Sequence, residues 1–287
     1  MVKRDIFKEL KNTLDKSLLN NYKTKFNSSS VAITENSKYF SWLMKSKTHL
    51  LDIGSEQGAI ALAVANKDPL VKEVITMVKG NFEISPLTIK FLIDHVRRTG
   101  KNLSYQIIDD RGEELFNTKK IYGFLPFYKP KIEVLENIKD WEPRKNKIPY
   151  QKSKSIYDQL KKAAELGMET HFTSHSKSLY GASVLAEDLI YFGGVYSSFD
   201  HRLSLHSEMV ATLSAIMDGK KISWVGLISN KFVKDIPQCC GACRQFLMEI
   251  QHQTKIPIRI VCFSFDGKNK FEMNLKDYLP YSWDSKI

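Results

Sequence analysis

Residues 206–246 read HSEMVATLSAIMDGKKISWVGLISNKFVKDIPQCCGACRQF, and the hydrophobic spacing changes character along them. After His206-Ser-Glu208, apolar residues recur at Val210, Leu213 and Met217, the three-and-four spacing of a helix with one buried face. Gly219 stops that run. "ISWVGLIS", residues 222–229, is short, apolar and β-branched, which predicts a buried strand. A loop with Cys239, Cys240 and Cys243 follows, and "CRQFLMEIQHQ" opens a second helix. The predicted unit is therefore helix, strand, loop, helix. It brings His206, Cys240 and Cys243 to helix amino termini at one end of a sheet.

Working outward, the 287-residue chain has room for one large domain or two of about 140 residues. Its 43% hydrophobic and 26% charged content is that of an ordinary globular protein. The opening "MVKRDIFKEL" has no signal-peptide core, and no stretch approaches the ~20 apolar residues of a membrane span. We therefore expect no membrane partner. Four cysteines, three of them clustered, do not make a secreted disulfide framework. The expectation is a reducing, cytoplasmic setting in which such cysteines hold metal or do chemistry.

Cys240-Gly-Ala-Cys243 is a C-x-x-C, a spacing shared by redox motifs and zinc sites. Helix amino termini favour thiolates, the form that metal requires. His206 with Cys240 and Cys243 gives three zinc ligands, leaving a fourth position for water as catalytic sites do. Glu208, two residues after His206, is then the acid-base group beside that water. A structural zinc site and a reactive dithiol are the alternatives, with Cys239 as the only further sulfur nearby.

His-Ser-Glu followed, 32 positions after its Glu, by Cys-Gly-Ala-Cys-Arg-Gln resembles the cytidine deaminase family, with its C/H-A-E and P-C-G-x-C-R-Q motifs. "SHSKSLYGASVLAED" is similar to that family's "YSxFxVGAALL" strand, and Leu279-Pro280 to its closing segment. The resemblance spans roughly residues 155–285. It implies one zinc ion per chain, held by His206, Cys240 and Cys243, with Glu208 catalytic and Arg244 and Gln245 in support. Arg244 would offset the charge of the thiolates. Cys239 stands where the family has proline, which predicts a free, buried thiol.

Sliding the chain by 152 positions sets residues 28–65 on 180–217 without a gap, with identities well above chance. Ser55-Glu56 falls on Ser207-Glu208, whereas Gly54 replaces His206. With a small slip further on, Leu87 and Lys90 fall on Cys240 and Cys243, and Leu125-Pro126 on Leu279-Pro280. The fold expectation is an α/β chain of two tandem three-layer αβα domains, each with a central mixed sheet. Residues 1–127 would be a degenerate deaminase-like copy without metal ligands, 128–153 a basic linker, and 154–287 the catalytic domain. The family also implies a homodimer.

The substrate pocket departs from the family. Ser178 stands at its base-stacking Phe, and Val195 and Ser197 at its ribose-binding Asn and Glu. His175, Tyr196, Asp200 and His201 are polar candidates for a rebuilt pocket. The net charge is +11, and residues 117–154 hold ten basic against four acidic residues, with aromatics interleaved. Such a segment suits a single-stranded nucleic acid, or is a solvated linker. Three readings follow. The chain deaminates the cytosine of a pyrimidine nucleoside or close analogue, edits cytosines in RNA or single-stranded DNA, or binds zinc as a non-catalytic interaction protein.

Overall fold

The computed structural model describes residues 2–20, 26–48, 51–80, 84–124, 133–173 and 177–279. The chain divides into two compact units. Unit 1 comprises Met1–Lys45, Asp52–Pro143 and Ser198–Leu203; unit 2 comprises Ser46–Leu51, Arg144–Ser197 and Ser204–Ile287.

In unit 1, helix α1 (Arg4–Asn20) precedes the hairpin β1 (Phe26–Ile33) and β2 (Lys38–Trp42). Helix α2 (Ser55–Ala65), β3 (Glu73–Gly80), α3 (Pro86–Thr99), β4 (Ser104–Asp109) and β5 (Glu114–Thr118) follow. The strands form one mixed sheet in the order β2-β1-β3-β4-β5, parallel only between β3 and β4. Alternate residues of β1 address opposite faces, as the strand period requires. Ser29 donates to the Leu10 carbonyl of α1, while Ser28 and Ser30 bond Ser55 of α2. The two helices therefore cover opposite faces, and α3 packs beside α2. Ile6, Leu10 and Leu14 of α1 close the first face over Val31, Ile75, Met77 and Ile108.

Unit 2 repeats this order. An edge strand β6 (Lys147–Pro149) precedes α4 (Ile156–Met168), the hairpin β7 (Tyr180–Ala186) and β8 (Leu189–Gly194), and α5 (Ser207–Met217). Strand β9 (Ile222–Ser229), α6 (Gly241–Thr254), β10 (Arg259–Phe263), β11 (Lys270–Asn274) and α7 (Leu275–Tyr278) complete it. The sheet order is β11-β10-β9-β7-β8-β6, parallel only between β9 and β10. Helix α4 lies closer to its sheet than a side chain allows. A Cβ at Gly181 would stand 2.0 Å from the Ala164 carbonyl oxygen, one at Gly167 2.7 Å from that of Gly193, and one at Gly194 2.6 Å from that of Gly167.

Two details depart from the sequence reading. Residues 133–153, expected within a basic linker, are built into the units. Glu133 and Leu135 donate backbone N–H groups to Arg97 and Arg98, and β6 pairs with β8. The reason is apolar content: Leu135 and Ile138 are buried, and a free linker would leave them in water. Residues 125–132, including Leu125-Pro126 and the start of that segment, lie outside the described residues, as does Pro280. The second detail is register. Helices α3 and α6 begin at Pro86 and Gly241, so their N-caps Ser85 and Cys240 correspond. Ser85 and Thr88, not Leu87 and Lys90, therefore stand where Cys240 and Cys243 stand. The same register sets Phe91-Leu92-Ile93-Asp94 on Phe246-Leu247-Met248-Glu249 and Thr99 on Thr254. Each of those threonines donates to the carbonyl four residues back.

Candidate metal centre

His206 is the N-cap of α5 and Cys240 the N-cap of α6, so both sit where backbone N–H groups lack helical partners. The Cys243 N–H points at Cys240 Sγ at 3.5 Å. Nδ1 of His206 lies 3.3 Å from Cys240 Sγ and 3.3 Å from Cys243 Sγ. All three ligand atoms fall within 4.8 Å of one another. A tetrahedral zinc with bonds of ~2.3 Å to sulfur and ~2.1 Å to nitrogen sets its ligand atoms ~3.6 Å apart. The cluster fits such an ion in donor type, number and spacing. His206 is exposed, Cys240 half-buried and Cys243 buried, so the cluster opens to solvent on the histidine side.

Hydrogen bonding from Cys243 holds the Cys240 thiol low, at about 3, against the cost of its burial, with His206 and the Cys243 N–H assisting. Cys243 is pushed up by its hydrogen bonds to Cys239 and Cys240 and by burial. Two adjacent sulfurs sharing few counter-charges keep one proton between them, and a divalent cation removes that conflict. The hydrogen bond to Cys243 lowers the Cys239 thiol, but burial and the Glu208 charge outweigh it and push it up to about 11. Cys239 is thus a buried thiol.

Glu208 is buried in the first turn of α5, where Ser207 Oγ donates to its carboxylate at 3.1 Å. Arg244 is turned towards Tyr278. Its Nη1 donates to the Tyr278 carbonyl at 2.9 Å and its guanidinium stacks 4.5 Å over that ring. Gln245 Nε2 donates to Glu249 at 3.2 Å.

The expected pocket residues are dispersed. Tyr196 is an interior residue, its ring stacked on Phe172 with centroids 5.0 Å apart. Val195 and Ser197 bond through their backbones to Phe172 at 2.8 and 2.9 Å. Tyr196 pairs with Leu205, the residue before His206, so this three-residue rim leads directly to the cluster. Ser178 is half-buried in a loop that Asn230 pins, accepting from Leu179 N at 2.7 Å and donating to Lys177 O at 3.2 Å. His175 lies outside the described residues. Asp200 and His201 belong to unit 1, where Asp200 pairs with Lys90 and Arg202. Phe172, Asn230 and Glu249 were missed in the sequence. Only Glu249 carried a signal, as the partner of Asp94 once the helix starts are aligned.

Unit 1 treats the matching position differently. Glu56 accepts from Tyr105 OH at 2.8 Å, Thr76 Oγ1 at 2.9 Å and Ser55 Oγ at 3.2 Å. Ser28 and Ser30 bond Ser55 at 2.8 Å each, and Ser30 bonds Thr76 at 2.7 Å. Strand pairing sets Ser28, Ser30, Thr76 and Tyr105 on Tyr180, Ala182, Leu227 and Ile260 of unit 2, which places three aliphatic side chains where unit 1 has hydroxyls.

No family model matches the chain, and no curated protein matches it. Among solved structures it is similar to the cytidine deaminase of Burkholderia pseudomallei, at 20% identity over 45% of this chain and 100% of that one, with a TM-score of 0.41. The cytidine deaminase of Mycobacterium tuberculosis aligns at 17% identity over 46% of this chain and 99% of that one, with a TM-score of 0.37. That of Bacillus anthracis aligns at 18% over 45% and 90%, with a TM-score of 0.33.

Proposed function

We propose that the chain is a zinc-dependent hydrolytic deaminase that converts the cytosine of cytidine, deoxycytidine or a close analogue to uracil. The observation that carries this reading is the meeting of His206, Cys240 and Cys243, with the buried carboxylate of Glu208 in the first turn of the helix that His206 caps. A zinc ion held by His206, Cys240 and Cys243 would lower the pKa of a bound water towards neutrality and supply a nucleophile at pH 7.

The chain's own part falls to Glu208. It takes the proton the water gives up as oxygen bonds to ring C4, and delivers that proton to N3. A second proton passes through the same carboxylate to the exocyclic nitrogen. The C4–N bond then breaks, the C4 carbonyl forms, and one water has been exchanged for one ammonia. Ser207 orients the carboxylate through its hydroxyl. Arg244, the residue after Cys243, is fixed on Tyr278 and would offset thiolate charge only at longer range. Unit 1 is, on this reading, an inactive copy, since Gly54, Ser85 and Thr88 offer no imidazole or thiolate. Ser178, Val195 and Ser197 remove the usual grip on base and ribose, so cytidine should be held weakly. A homodimer belongs to the same reading.

An editing role draws less support from the basic segment. Lys139, Arg144 and Lys147 are ion-paired to Glu136, Glu169 and Asp218. The deciding experiment incubates purified protein with cytidine, deoxycytidine, dCMP and a cytosine-containing oligonucleotide, and reads ammonia. Release from a monomer supports the proposal. Release from the oligonucleotide alone, falling steeply with salt, replaces it with editing. No release from any of them, with zinc bound, leaves the non-catalytic reading.

A further inference from the structure

Unit 2 includes a short piece from early in the chain, Ser46–Leu51. Its seat is Glu249, a carboxylate 5% exposed on α6. Glu249 accepts from Ser46 Oγ at 2.9 Å, from Lys47 N at 3.0 Å and from Gln245 Nε2 at 3.2 Å. Ser46 Oγ in turn accepts from Thr48 N at 3.1 Å, which folds the segment into a tight turn. Unit 1 contains the same device. Ser198 Oγ donates to the buried Asp94 at 2.8 Å and accepts from Asp200 N at 3.3 Å. Ser46 and Ser198 are related by the 152-residue repeat, and Asp94 and Glu249 are each the ninth residue of their helix. A buried carboxylate is tolerated only with donors to satisfy it, so each clasp fixes its helix to its segment.

The consequence differs between the units because the helices differ. The helix clasped in unit 2 is the one whose amino terminus carries Cys240 and Cys243, six residues before Glu249 in the latter case. We infer that Glu249 is a positioning residue for the metal centre, and that Ser46–Thr48 is a working part of the site rather than a connection. Seating the segment holds α6, and with it both sulfurs, at the spacing that His206 requires. The kinetic side of this inference rests on the proposed deaminase activity; the metal side does not.

The test uses the full chain with Glu249→Ala, Glu249→Gln, Glu249→Asp, Ser46→Ala and, as the matched change in unit 1, Asp94→Asn. Zinc release to a chelator is timed at a temperature where every variant is folded, and kcat and KM are measured for whichever substrate turns over. Glu249→Ala should release zinc about tenfold faster and lower kcat about tenfold with KM within about twofold. Ser46→Ala should do the same more weakly, and Glu249→Asp should restore most of both. Asp94→Asn should lower the melting temperature and move neither readout. Should Glu249→Ala not fold, Glu249→Gln, which keeps the volume but loses the charge and one of the two acceptor oxygens, decides in its place. Natural zinc release in a destabilised Glu249 variant would overturn the inference, as would an equal effect from Asp94→Asn. A chain without deaminase activity defeats the proposed function and leaves the zinc-release arm standing.

Discussion

Glu56 and Glu208 are each the second residue of a helix that follows a β-hairpin, and they live in opposite surroundings. Around Glu56 the chain has spent hydroxyls: Ser55, Thr76 and Tyr105 reach the carboxylate, with Ser28 and Ser30 completing the net. Around Glu208 the corresponding strand positions include Ala182, Leu227 and Ile260. A carboxylate gripped by three hydroxyls is fixed in place. One with a single hydroxyl donor beside a His-Cys-Cys cluster is held less tightly. On the proposed function, the same residue is structural in one unit and chemical in the other because of its neighbours.

The sharpest way to break this contrast is to remove each carboxylate's charge. Glu208→Gln should lower turnover by about 10²–10⁴-fold with zinc retained, whereas Glu56→Gln should leave turnover unchanged. Comparable losses from both, by ammonia release, would refute the division of labour. Metal content comes next. Elemental analysis should give about one zinc per natural chain and almost none for Cys243→Ala; two per chain would mean that unit 1 binds metal after all.

Acid should weaken both units alike. Burial lowers His95 in unit 1 to about 4, with the Pro69 carbonyl opposing and Arg98 assisting, and burial lowers His171 in unit 2 to about 4. Each folded value lies below the unfolded value of about 6.5, so above that pH neither histidine affects stability. As pH falls from 6.5 to 4 the unfolded chain takes up protons that the folded chain refuses. Each site then removes on the order of 2–3 kcal/mol. Denaturation midpoints at pH 7, 5.5 and 4.5 measure this, and His95→Gln should spare unit 1 alone. The smallest effect is Tyr105→Phe, which deletes one hydrogen bond to a buried carboxylate. It should cost about 1.5–3 kcal/mol in unit 1 and nothing in turnover.

What was readable in the sequence is what has local period or obligatory residue type. The apolar spacing after Glu208 gives α5, "ISWVGLIS" gives β9, and His206, Cys240 and Cys243 stand out by residue type at helix starts. The hydroxyl net was not readable, because its members lie on β1, α2, β3 and β4 with no fixed interval between them. Nor was the two-residue shift between α3 and α6, which depends on where a helix starts after a loop. The seating of Ser46 on Glu249 spans 203 residues, and no local pattern announces it. Tyr196 misled for a related reason: a polar tip on an aromatic body is as compatible with a stacked interior as with a pocket wall.

The near-contact of α4 with its sheet bears on how the two copies can drift. Gly167, Gly181 and Gly194 meet opposing backbone at distances no side chain can share. In unit 1 the position of Gly181 is held by Ser29, whose hydroxyl reaches Leu10, so α1 stands off by at least a side chain. Substitution at those glycines must move a whole helix, while the matching surface of unit 1 can absorb a methyl or a hydroxyl. Evolutionary freedom is therefore unequal. Unit 2, which carries the His-Cys-Cys cluster, sits on the packing least able to change, and a saturation library across both helix–sheet contacts should recover far fewer folded variants from it.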